Sequence, residues 1–110
     1  MKKMIAADGK RLYSWLSVTK NNWDSIVAQI LEYAVLYNDA HIIHRTCKKI
    51  CNLSIKSPAN PYHWIVEQKM QTTFDVEISK SDRGDFMIIY VGFKRDEDEM
   101  LFLLKWEGFV

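Results

Sequence analysis

The sequence predicts a single α+β domain, in which a mainly antiparallel sheet of about four strands carries two or three packed helices. Two observations favour this class. Residues 72–79 alternate apolar and polar side chains, and residues 86–93 are apolar on both faces, with a turn containing Gly84 between them. Residues 23–37 repeat apolar side chains every three or four positions, which is typical of an amphipathic helix. A chain of 110 residues has the size of one domain.

The other strands of the predicted sheet are less regular. Residues 10–18 and 62–70 alternate between apolar and polar positions, and each segment is predicted to be a strand. Residues 1–9 are expected to form a loose terminus that ends at the turn signal Asp8-Gly9. The apolar run at 86–93 should lie in the centre of the sheet, because a strand without a polar face is normally covered on both sides.

Three segments are predicted to be helical. Between residues 23 and 37 the apolar stripe is widened by Tyr33, Leu36 and Tyr37, so burial on more than one side is expected. Residues 40–53 separate apolar from basic positions at helical spacing, although a strand at 40–44 is the alternative because β-branched residues dominate there. Asp96 is expected to cap the last helix, with three more acids in its first turn and Gly108 as its stop.

Composition and charge limit the function classes. The net charge of +1 gives no global indication of a nucleic-acid or membrane-surface protein. The charge is divided along the chain, because residues 1–56 carry a net charge of +5 and residues 57–110 carry −4. No leader and no membrane span are expected, since no apolar run approaches the required ~18 residues. With two cysteines, the chain is expected to hold free thiols in a reducing cytoplasm.

No catalytic residue, cofactor or metal site is predicted. Residues 96–99 are all acidic, and helix capping explains them more simply than a divalent ion or a general acid. The chain lacks a glycine-rich phosphate loop and a framed nucleophile. Four residues have side chains that bind zinc, but on one helix they would line a single flank and could not surround one ion: His41, His44, Cys47 and Cys51.

A basic helix face is the main candidate binding surface. Its residues lie opposite the apolar positions of segment 40–53: His41, Arg45, Lys48 and Lys49. The chain also has four tryptophans and five tyrosines, more than a small core needs. Since aromatic anchors are typical of protein interfaces, four of these residues are candidates for one: Trp15, Tyr62, Trp64 and Trp106.

The C-terminal residues FKRDEDEMLFLLKWEG combine an aromatic strand end, a run of acids, an apolar helix with a lysine and an aromatic residue, and a glycine. This pattern, within residues 90–108, resembles one that recurs in small accessory proteins of tailed bacteriophages. The resemblance implies a small phage-encoded accessory protein made in a bacterial host. It assigns no active-site residues.

These observations favour a non-enzymatic interaction protein that binds or inhibits a host protein in the bacterial cytoplasm. The uneven charge would steer the encounter, and exposed aromatic side chains would anchor the complex. A nucleic-acid-binding regulator that uses the basic face at 41–52 is a second, less favoured hypothesis. A structural or assembly component of a virion is the third, and it would involve a stable homo-oligomer.

Overall fold

The computed structural model describes residues 1–19, 25–53, 60–81 and 84–108. These residues form one four-stranded antiparallel sheet and four helices, which confirms the predicted α+β class. Along the chain, the elements are β1 (Lys2–Ile5), β2 (Arg11–Thr19), α1 (Ser25–Leu36), α2 (Ala40–Leu53), α3 (Pro61–Glu67), β3 (Thr72–Ser81), β4 (Gly84–Phe93) and α4 (Asp96–Trp106). No described helix is long and apolar enough to cross a membrane.

Strand β4 lies inside the sheet, as its apolar sequence predicted. The strand order is β1-β2-β4-β3, so β4 pairs with β2 on one side and with β3 on the other. Val91 lies opposite Tyr13 of β2 and Phe74 of β3. Met87, Ile89 and Val91 point to the same side because alternate residues of a strand share a face. All three are buried in one cluster that includes residues from every helix, so the helices cover this face of the sheet.

The opposite face of the sheet is also closed around β4. Tyr90 is fully buried, and its hydroxyl donates a hydrogen bond of 2.9 Å to Oε2 of Glu77 on β3. Leu12 of β2 is buried beside Gly92. Side chains of the apolar run in β4 are therefore buried on both faces of the sheet.

Two predictions about strands were wrong, because one strand was missed and one predicted strand contains a helix. Within the expected loose terminus, Lys2–Ile5 pairs with β2 in a short antiparallel ladder that runs from Lys2↔Ser14 to Ile5↔Arg11. The predicted strand at 62–70 contains helix α3 instead. Asn60 caps this helix because its side chain accepts the N–H of Tyr62, and Pro61 occupies the first turn, where its fixed φ favours a helix.

Two expectations about the helices also needed correction. Helix α1 was expected to be buried on more than one side, yet Tyr33, Leu36 and Tyr37 are all exposed. Asp96 is the first residue of α4 and not its cap, because the capping position belongs to Arg95, whose side chain makes no capping hydrogen bond. The four acids still occupy the first turn, where negative charge stabilises the positive end of the helix dipole. The alternative strand at 40–44 is excluded, since α2 is helical throughout.

Candidate binding surfaces

Helix α2 presents the predicted basic face to solvent. Asp39 precedes the helix, and its Oδ1 accepts the backbone N–H of Ile42, which satisfies one of the free donors of the first turn. Ile43, Cys47 and Cys51 point into the core. The four predicted basic residues lie on the other side and are exposed: His41, Arg45, Lys48 and Lys49. We call these four residues the basic face.

No residue of the basic face forms an ion pair with a carboxylate in the part of the chain that the structure describes. The ion pairs there lie elsewhere, such as Lys3 with Glu107 at 3.7 Å and Arg95 with Glu97 at 3.1 Å. A surface cation without a neighbouring anion keeps its full charge for an approaching partner. The basic face can therefore attract an acidic surface.

The histidines and cysteines of α2 do not converge. Cys47 and Cys51 are free and buried, His41 is exposed, and His44 is half-buried against the sheet. Burial raises the pKa of the Cys47 thiol, and it raises that of Cys51 to about 12, so both remain protonated at neutral pH. Within residues 1–19, 25–53, 60–81 and 84–108, no group of three His, Cys, Asp or Glu side chains could hold a metal ion.

A cavity of about 440 Å³ opens where α2, the end of α3 and the start of β3 meet. Among the residues that the structure describes, its charged lining residues are Lys48, Lys69 and Lys94, and none of the described carboxylates lines it. His44 faces Phe74 edge-on inside the cavity, with ring centroids 5.3 Å apart. Only Lys48 among the three lysines was predicted from the sequence to lie on a binding surface. Lys69 and Lys94 follow α3 and β4 and belong to no periodic pattern of residues. We call this space the lysine cavity.

The positive charge of this region affects the pKa of His44. Its pKa is lowered mainly by burial and then by electrostatic interaction with the nearby basic groups Lys48, Lys94 and His41. Both effects disfavour the imidazolium form. At neutral pH the ring is therefore uncharged, and the lysines supply the charge of the cavity.

The four predicted interface aromatics lie mostly inside the fold. Tyr62 is buried and packs against Phe74 at 5.9 Å, so it cannot anchor a partner. Trp15, Trp64 and Trp106 are half-buried against the core. The indole N–H of Trp15 donates to Oδ1 of Asn60 at 3.1 Å. These rings pack mainly against the core, where Trp15 and Trp64 both contact Phe102.

Exposed aromatic side chains occur instead on α1 and on the turn that follows it. Tyr33 and Tyr37 are 61% and 64% exposed, and their ring centroids lie 4.4 Å apart. Ile30 and Leu36 are exposed beside them, the latter by 77%. We call these four residues the tyrosine patch. Their helical spacing was visible in the sequence but was interpreted as core, because periodicity alone does not distinguish a buried face from an exposed one.

A second exposed apolar group lies on α4, formed by Met100, Leu101 and Leu104. This group follows the acidic first turn, in which Glu99 is already bound by Arg11 at 3.0 Å and by Tyr13 at 2.9 Å. Glu97 is paired with Arg95. Two of the four acids in the first turn of α4, Glu97 and Glu99, are thus bound by neighbouring side chains.

No protein-family model, curated protein or solved structure matches this chain. The surfaces described above are therefore the basis for the functional proposal.

Proposed function

We propose that this chain is a non-enzymatic interaction protein that binds an acidic protein partner through the tyrosine patch and the basic face. The observation that carries the proposal is the contacting pair of tilted rings Tyr33 and Tyr37, which are largely exposed at the end of α1, a helix that packs against α2. An apolar anchor beside a cationic helix suits a partner with an apolar pocket rimmed by acids.

The tyrosine patch has the composition of an interface centre. Aromatic residues are enriched in the energetically important parts of interfaces, where they bury a large area and lose little side-chain entropy. Exposed apolar side chains that adjoin one another are uncommon on proteins that bind nothing there. Because Tyr33 and Tyr37 contact each other already, part of the ordering cost is met before binding.

The basic face supplies attraction at longer range. Charge complementarity mainly raises the association rate and excludes partners of the wrong charge. His41, Arg45 and Lys49 surround the outer side of α2, and the structure describes no acid paired with them. A partner with an acidic rim would therefore approach faster at low salt than at high salt.

The resemblance of residues 90–108 to accessory proteins of tailed bacteriophages indicates where the partner would come from. Under this proposal the protein is phage-encoded, and it binds or inhibits an acidic host protein in the bacterial cytoplasm.

The experiment identifies the partner and then measures its affinity. Cross-linked capture from bacterial lysate gives candidates, and each purified candidate is titrated calorimetrically against the wild type and three variants. Tyr33→Ser/Tyr37→Ser should weaken binding by about 30-fold or more, the usual loss at interface hot spots. Arg45→Glu/Lys49→Glu should slow association and reduce its salt dependence. The matched control Leu101→Ser/Leu104→Ser, on α4, should bind normally.

Equal affinities for the wild type and the tyrosine variant would overturn this interface, and so would turnover of a substrate by the purified protein. A greater loss in the α4 variant would instead favour self-association through α4, the arrangement expected of an assembly component. Light scattering would then show a stable oligomer that Leu101→Ser/Leu104→Ser dissolves.

Nucleic acid is the second candidate partner, and the exposed basic face, which pairs with no carboxylate among the described residues, is the observation that favours it. Labelled single-stranded and duplex oligonucleotides, titrated at several salt concentrations, test it directly. Binding that falls steeply with salt and disappears in Arg45→Glu/Lys49→Glu would support this candidate. Binding that depends neither on salt concentration nor on Arg45→Glu/Lys49→Glu would exclude nucleic acid as the partner of the basic face.

A further inference from the structure

We propose that the lysine cavity binds a small phosphate monoester that carries an aromatic or apolar group. This site is separate from the protein interface proposed above, although Lys48 lies at the border of both. The argument rests on the charge of its rim, the apolar character of its floor and its size.

The rim gathers three lysines from three different places in the fold. Lys48 belongs to α2, Lys69 follows α3, and Lys94 follows β4. None of them forms an ion pair with a carboxylate among the described residues. Like charges that share a concave site repel one another, and a bound dianion would relieve that repulsion. Lysine is a regular ligand for phosphate in proteins.

Backbone hydrogen bonds hold two of these lysines at the rim. Lys69 has a φ of 56°, which is uncommon for a residue other than glycine, and its N–H donates to the carbonyl of Val66 at 3.0 Å. The next N–H, that of Met70, donates to Ile65 at 3.2 Å and closes the end of α3. The N–H of Lys94 donates to Gln71 at 3.1 Å. Both lysine backbones are therefore ordered before any ligand arrives.

The floor of the cavity is aromatic. Phe74 is half-buried on β3, with the ring of His44 on one side and that of Tyr62 at 5.9 Å. Ile65 adds apolar surface. A volume of about 440 Å³ lies within the range of small-molecule sites and exceeds what one phosphate needs. The remaining space suits a ring or a short apolar chain attached to the phosphate.

His44 provides a spectroscopic reporter inside the cavity. Within the described part of the chain, the titratable groups that act on it or share its cavity are all basic: Lys48 and His41 of its own helix, Lys94 after β4 and Lys69 after α3. Tyr62 also lines the site, and its pKa of about 12 keeps it neutral. A bound dianion would offset the lysines and raise the pKa of His44.

The test uses three probes: phenyl phosphate, inorganic phosphate and phenol. Calorimetry at low ionic strength should give phenyl phosphate a Kd of about 1 mM or lower. Inorganic phosphate should bind about tenfold more weakly because it leaves the aromatic floor uncovered, and phenol should show no saturable binding. An NMR titration should show that the pKa of His44 rises when phenyl phosphate is bound.

Three variants locate the site. Lys69→Gln/Lys94→Gln should weaken phenyl phosphate at least about tenfold, since it removes two of the three charges. The control Lys105→Gln removes one lysine from α4, outside the lining, and should bind like the wild type. Tyr33→Ser/Tyr37→Ser should also bind normally, which separates this site from the protein interface. All the substituted residues are exposed, so circular dichroism should show unchanged folding.

The proposal would be overturned by any one of three results. The first is an absence of saturable phenyl phosphate binding up to about 10 mM. The second is equal affinity in the wild type and Lys69→Gln/Lys94→Gln. The third is a pKa of His44 that does not move while the ligand binds. Equal affinity for phenyl phosphate and inorganic phosphate would show that the aromatic floor does not contribute to binding. It would contradict the proposal that the ligand carries an aromatic or apolar group.

Discussion

Tyr13 of β2 donates its phenolic hydrogen to Oε2 of Glu99 on α4 across 2.9 Å, and this bond ties the sheet to the last helix. The second oxygen of the same carboxylate accepts from Arg11 at 3.0 Å. The side chain of Glu99 is only 14% exposed, whereas Glu97 two residues earlier is 72% exposed. One acid of the α4 run therefore has a role beyond the helix dipole, because it fixes where α4 lies on the sheet.

A double-mutant cycle should measure this tie. Tyr13→Phe removes the donor and Glu99→Ala removes the acceptor. The coupling free energy between the two should be about 1 kcal/mol or more, since a hydrogen bond to a charged group is stronger than a neutral one. Urea unfolding of the wild type, both single variants and the double variant gives this value. The matched cycle Arg95→Ala/Glu97→Ala tests an exposed ion pair and should give about 0.5 kcal/mol or less.

The tyrosines predict how stability changes at high pH. Burial, followed by a hydrogen bond to a carboxylate, raises the pKa of Tyr13 and of Tyr90 from 10.0 to about 12. Because the folded pKa lies above the unfolded value, this contribution to stability is fully present below pH 10 and is lost as the pH rises from 10 to 12. The free energy of unfolding in urea should therefore fall between pH 10 and 11.

Phenolate absorbance at 295 nm should follow the same change. In the folded protein the phenols of Tyr13 and Tyr90 should ionise near pH 12, and in urea-unfolded protein near pH 10. Tyr90→Phe should reduce the slope of stability against pH above 10, because one linked proton is removed. A slope identical in Tyr90→Phe and the wild type would contradict this assignment.

Strands β3 and β4 were predicted correctly because local sequence patterns specify them. The alternation of β3 and the apolar run of β4 can each be recognised from consecutive residues, without knowledge of the neighbouring strands. Strand β1 has no such signal, since only Met4 among its four residues is even partly buried. It exists because β2 offers a free edge for hydrogen bonds, which is a property of the folded sheet.

Helix α3 shows how a capping signal can outweigh alternation. Tyr62, Trp64 and Val66 alternate as a strand would, but Asn60 and Pro61 immediately before them start a helix. The lysine cavity shows a different limit. Lys69 and Lys94 come together because Thr72 pairs with Phe93 at the ends of β3 and β4, and that register follows from the hairpin as a whole. The basic face, by contrast, could be predicted from the helical period of residues 40–53 alone.

Asn60 should be a sensitive position because one oxygen atom serves two elements. Its Oδ1 accepts the N–H of Tyr62 at 2.8 Å and the indole N–H of Trp15 at 3.1 Å. Asn60→Ala should cost about 1–2 kcal/mol in the free energy of unfolding, the usual loss of a helix cap. Asn60→Asp keeps the acceptor and should cost less. If both variants unfold at the same urea concentration as the wild type, the cap is not needed.

Gly92 should tolerate no side chain, because β4 passes close to its neighbours on the second face of the sheet. A Cβ atom at this position would lie 2.7 Å from Cδ2 of Leu12 and 2.8 Å from Oγ1 of Thr73, well inside contact distance. Both contacts are with side-chain atoms, so relief would require the side chains of Leu12 and Thr73 to move, and Leu12 is buried. Gly92→Ala should therefore destabilise the fold by about 1–3 kcal/mol, as overpacking of a close-packed site does. Gly108→Ala is the control, since no atom lies within 4 Å of a Cβ there, and it should unfold like the wild type. An unchanged urea midpoint for Gly92→Ala would mean that the side chains of Leu12 and Thr73 can move aside at little cost.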